Sequence, residues 1–123
     1  MEDELDALFI QKEATISNKV LRDLLIRYVQ FSHDGEISVM PDFTNLTNEK
    51  KMLVVLLAKK VLALKLGLEE KTKPKEIQLL TGLPPGTVNP SLTSLASKRL
   101  VQSENGKYWV PSFAIHKINE IFS

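Results

Sequence analysis

The chain has no cysteine among its 123 residues, which excludes disulfide cross-links and thiolate metal sites. It also has no long apolar run. The longest stretches, residues 52–58 and 61–64, are separated by Lys59 and Lys60 and fall far short of the roughly 20 residues that cross a bilayer as a helix. The opening "MEDELDALF" is acidic where a secretory signal would be basic, so a cytoplasmic protein without a membrane partner is expected. An excess of one charge sign is missing as well. Net charge is +1, with nine basic and ten acidic side chains in residues 1–66 and seven and five in residues 67–123. The positive excess of a strong non-specific nucleic-acid binder is absent from the total, and only the second half is mildly basic.

Signs of catalysis are equally scarce. No glycine-rich phosphate loop occurs, and Thr81 and Ser91 have no neighbouring base motif to activate a hydroxyl. His33 and His116 stand far apart, with no carboxylate or second histidine at ligand spacing, and both are read as surface residues. The expectation is a protein that is not an enzyme, with no cofactor and no metal.

What is present is the composition of an ordinary folded domain, 43% hydrophobic and 25% charged, on a chain long enough for one core. Leu5, Leu8, Phe9 and Ile10 give a weak helical pattern. From Ser17 the signal firms: Ile16, Val20, Leu24 and Tyr28 recur every four residues beside Leu21, Leu25 and Val29, predicting an amphipathic helix that ends near Phe31. Asp34 and Gly35 mark a turn, and residues 36–40 alternate as one short strand stopped by Pro41. Asn45, Thr47 or Asn48 can then cap a helix running to about Leu66, with Gly67 as its terminator. Its charged residues, Glu49, Lys50, Lys51, Lys59, Lys60 and Lys65, scatter around the axis at 100° per residue. A helix without a clean polar face is buried on most sides, which puts this one at the centre.

Further on, Thr72 is read as a cap, Pro74 falls in a first turn, and Ile77 and Leu80 face inward on a helix that Gly82 ends. A second helix sets Val88, Leu92, Leu95 and Ala96 on one face. "LVQSENGKYWVP" alternates around Asn105-Gly106, a strong hairpin signal. Tyr108 and Trp109 point to opposite faces of that strand, with Trp109 expected in the core. A terminal helix follows, with Phe113, Ile118 and Ile121 or Phe122 inward.

The stretch "KPKEIQLLTGLPPGTVNPSLTSLASKRLV" carries an isoleucine-bearing helix, a Thr-Gly-Leu turn, Thr-Val at the head of the next helix, and a basic pair leading into the hairpin. In this it resembles the winged helix-turn-helix superfamily of archaeal and bacterial transcription regulators. The resemblance covers residues 47–123 and implies a mainly α fold with a small β-hairpin wing. Residues 1–46 would be an N-terminal helical extension packed on the core. It further implies that the second helix enters the major groove of double-stranded DNA while the wing touches the backbone. Winged helices also serve as protein docking modules, and fold alone does not decide between the two.

Pro90 bears on where that helix starts. Counted from Pro85 it would remove a bond to the Gly86 carbonyl and clash with it, at about 3 kcal/mol. With Thr87 as N-cap it would instead be the third helical residue, where no bond is lost, so the later start is preferred. The outward face then presents Asn89, Pro90, Thr93, Ser94 and Ser97, with Lys98 on its flank. No arginine offers a bidentate pair to guanine, whereas Asn89 can pair with adenine. Lys71, Lys73, Lys75, Lys98, Arg99 and Lys107 surround this face, partly offset by Glu69, Glu70, Glu76 and Glu104; they are either phosphate ligands or ordinary solubilising charges. The candidate DNA-contacting set is Lys73, Lys75, Thr87, Asn89, Ser91, Thr93, Ser94, Lys98, Asn105 and Lys107. A homodimer is expected from the apolar residues 53–66 and the two terminal helices. The alternatives are a protein partner docked on the neutral helix face, and an RNA-binding accessory role that would need a basic channel or exposed aromatics.

Overall fold

The structure, a computed structural model, describes residues 11–123, with side-chain surroundings from Asn18 onward. Leu5, Leu8, Phe9 and Ile10 therefore lie outside the described residues, as does the side chain of Ile16. The elements are α1 (Gln11–Leu25), β1 (Val29–Phe31), β2 (Ile37–Val39), α2 (Asn48–Leu66), α3 (Pro74–Thr81), α4 (Pro85–Ser97), β3 (Gln102–Glu104), β4 (Lys107–Trp109) and α5 (Ile115–Phe122). Single 3-10 turns occupy Pro41–Asn45 and Ser112–Ala114. The chain is mainly helical with small antiparallel hairpins.

α2 starts where Thr47 caps it, the hydroxyl accepting from the Lys50 N–H at 3.4 Å. Every residue from Met52 to Ala58 is buried, as the scatter of charges around this helix predicts. α1, α3, α4 and β4 all contact it, and α5 packs on α1. One core runs from Leu21, Leu24 and Leu25 of α1 through α2 to Leu92 and Leu95 of α4 and Ile115 and Ile118 of α5. Each fully buried leucine or isoleucine there contributes roughly 1.5–3 kcal/mol. Within residues 53–66, the chain's own elements cover residues 53–58 and Leu62, which need no second copy, whereas Leu64 and Leu66 at the end of α2 are exposed. Lys60, only 7% exposed, sits among the covered residues and meets the Glu70 carboxylate at 2.8 Å; Lys59 pairs with Glu76.

Three expectations about the elements are corrected. The first helix stops at Leu25, and Val29–Phe31 is a strand paired with Ile37–Val39 through Val29↔Val39, Gln30↔Ser38 and Phe31↔Ile37. Val29 and Phe31, two apart, suit a strand face as well as they extend the helical pattern, and the turn at Gly35 brings a partner within reach. Gly35 has φ +89°, and a Cβ there would lie 2.6 Å from Leu68 Cδ1, so no other residue fits the turn without displacing that leucine. In place of one short strand there is thus a second hairpin. At the C-terminus, Ser112–Ala114 forms a 3-10 turn before α5 begins at Ile115, which shifts the inward phase. Ile115 joins Ile118 in the core, Phe122 stacks obliquely on Tyr28 with centroids 5.9 Å apart, and Phe113 is 65% exposed. Among the described residues no helix is long and apolar enough to cross a membrane.

Candidate nucleic-acid interface

Thr72 is not the cap the sequence suggests. It exchanges two backbone hydrogen bonds with Tyr108, each of 2.8 Å, and its hydroxyl donates to the Glu70 carbonyl at 2.8 Å. Pairing both backbone groups of a fully buried residue satisfies more than a cap would, so Lys73 takes the N-cap position and Pro74 the first helical one. The bridge ties the start of α3 to the hairpin and sets Lys73 beside it.

The Thr-Gly-Leu turn after α3 works through the threonine. Thr81 donates its hydroxyl to the Ile77 carbonyl at 2.7 Å and accepts from the Leu83 N–H at 3.2 Å, while Gly82 takes φ +76°. α4 then begins at Pro85, with Pro84 as N-cap and the Pro84 carbonyl accepting from Thr87 and Val88. The preferred start at Thr87 is therefore corrected, and Pro90 lies inside the helix. Proline at the first helical position is pre-set for the helix. The carbonyl that Pro90 leaves without its helical donor belongs to Gly86, which is exposed, has no side chain to add to the clash, and is open to water. Val88, Leu92 and Leu95 form the buried face as expected, whereas Ala96 is exposed.

Of the outward residues, Asn89, Pro90, Thr93 and Ser97 are exposed, and Thr87, Ser91 and Ser94 are half-buried. Several hydroxyls are already engaged. Thr93 donates to the Asn89 carbonyl at 3.2 Å, and Ser97 to those of Thr93 and Ser94 at 3.0 and 3.1 Å. Ser94 and Lys98 both turn to Glu49 near the start of α2, at 3.1 Å from Oγ and 2.9 Å from Nζ. Glu49 carries no signal in the sequence, since 45 and 49 residues separate it from these partners.

The hairpin turns at Asn105 and Gly106, with φ of +52° and +76°, in the register Gln102↔Trp109, Ser103↔Tyr108 and Glu104↔Lys107. Here the assignment of Trp109 to the core is reversed. Val110 is fully buried and shares a strand face with Tyr108, so Tyr108 packs on the core. Trp109 lies on the opposite face, under the Lys71 ammonium at 4.8 Å from the ring centroid.

No family model, curated protein or solved structure matches the chain. The chemistry of this face is read from its own side chains.

Its lysines fall into two groups. Lys71 bonds Glu104 at 2.7 Å, Lys98 bonds Glu49, and Lys107 stands 4.0 Å from Glu69. The hydrogen bond to Glu104 holds the Lys71 ammonium above its ordinary pKa, and the same bond holds the Glu104 carboxyl below its own. Lys73 and Lys75 are exposed and have no ion-pair partner among the described residues. The sequence treats all of these cations alike, because their carboxylates arrive from other elements.

Proposed function

We propose that the protein is a winged helix-turn-helix regulator that binds double-stranded DNA in the cytoplasm as a homodimer and carries out no catalysis. The order α2, Thr72, α3, turn, α4 and hairpin supports the winged-helix reading, with Thr72 joined to the two-stranded hairpin by a single bridge at Tyr108. The observation that carries the DNA reading is the pair Lys73 and Lys75, exposed, without carboxylate partners among the described residues, in the segment that follows directly on the Thr72 to Tyr108 bridge. Phosphate attraction by such lysines supplies most non-specific affinity. Asn89, exposed on α4, is the group with the geometry to discriminate a base. With few free cations and one base-reading amide, the binding is weak per contact, and two half-sites in a dimer compensate.

A second reading, a docking module for a protein partner, is favoured by the uncharged outer face of α4 and by the three lysines already matched to carboxylates. The two separate in a titration against generic duplex at several salt concentrations. The regulator binds with an affinity that falls as salt rises. Absence of salt-sensitive binding even at low salt removes the DNA reading and leaves the neutral face as a protein contact.

A further inference from the structure

α4 ends in a left-handed turn. The Arg99 N–H donates to the Ala96 carbonyl at 3.0 Å, and the Leu100 N–H to that of Leu95, also at 3.0 Å, which closes the helix and turns Leu100 and Val101 into the core. Arg99 holds this turn with φ +62°. The ends of α2 and α3 reach the same region with Gly67 and Gly82, at φ +71° and +76°. A side chain with a Cβ is strained there, so glycine would serve the fold better at residue 99.

The fold gives the arginine little in return. It is exposed and has no ion-pair partner among the described residues, unlike the adjacent Lys98. The attraction of a helix C-terminus for cations is met without it, by Lys98 and by Lys117, whose ammonium lies 3.5 Å from the Lys98 carbonyl. Arg99 also stands at the junction of α4 with the first wing strand, between the two elements that the proposed DNA reading assigns to the duplex. We propose that Arg99 is a phosphate contact of that duplex, retained against its backbone strain because a guanidinium offers two parallel donors to phosphate oxygens. This rests on the DNA-binding reading.

The test measures stability and duplex affinity together for the full chain and for Arg99→Gly and Arg99→Lys. Arg99→Gly is expected to raise the Tm by about 2–4 °C through relief of the left-handed strain. It is also expected to weaken duplex binding about 5- to 10-fold at 0.1 M salt and to reduce the slope of log K against log salt by about 0.9. Arg99→Lys keeps the charge and should retain most of the slope. A more stable Arg99→Gly variant that binds as well as the wild type overturns the inference, as does an Arg99→Lys variant whose salt slope falls as far as that of Arg99→Gly. A wild-type protein with no salt-sensitive duplex binding overturns the DNA reading together with this inference. Wild-type binding that Arg99→Gly leaves unchanged overturns the inference alone.

Discussion

Replacing Lys73 and Lys75 together by alanine isolates the cations that carry the proposed phosphate binding. Each phosphate neutralised on B-form DNA contributes about 0.9 to the slope of log K against log salt, so losing two contacts should flatten it by about 1.8 and lower affinity at 0.1 M salt by roughly 10- to 100-fold. The loss should be uniform across sequences, since phosphate contacts position the protein and carry no base information. Lys71 and Lys98 give the internal control. Each already holds a carboxylate, at 2.7 Å from Glu104 and 2.9 Å from Glu49, so reaching a phosphate means surrendering an existing partner. Lys98→Ala should therefore change the slope by less than about half as much as Lys73→Ala. Lys107, 4.0 Å from Glu69, should fall between the two. Fluorescence anisotropy against one random and one selected duplex at four salt concentrations reads all of these. A Lys98→Ala effect equal to that of Lys73→Ala would refute the division of the lysines into matched and unmatched groups, and an unchanged slope in the double variant would refute their role.

Glu70→Ala leaves the Lys60 ammonium buried without its counter-charge and should cost about 1–3 kcal/mol in chemical denaturation, the lower end reflecting the part-exposed glutamate, whereas replacing both partners together, Lys60→Met with Glu70→Leu, should be near neutral. Since Lys71 holds the Glu104 carboxyl below its ordinary pKa, the contribution of that exposed pair is present above the ordinary carboxylate range and is lost as pH falls through the lowered value. Thermal melts of Glu104→Gln should differ slightly from wild type at pH 7 and coincide with it at strongly acid pH, about 2. Sedimentation at micromolar concentration should give a dimer; a monomer at every accessible concentration removes the paired half-site and favours the docking module.

The sequence by itself determined the helical content and the central place of α2, because hydrophobic periodicity and charge scatter are local properties that survive any arrangement of the other elements. It also determined the Asn105-Gly106 turn and the helix end at Gly82, where backbone geometry selects the residue. Tertiary structure decided the rest. Residues 29–31 fit both a helix and a strand until Gly35 brought β2 alongside. Thr72 reads as a cap until Tyr108 offers it two backbone bonds. Trp109 and Tyr108 exchange roles because the burial of Val110 fixes which strand face looks inward. Pro90 is tolerated inside α4 because the carbonyl it deprives belongs to an exposed glycine. Above all, charge pairing is a property of space: Glu49 reaches Lys98 and Glu104 reaches Lys71 across 49 and 33 residues, so which cations remain free for a phosphate is settled only once the helices have packed.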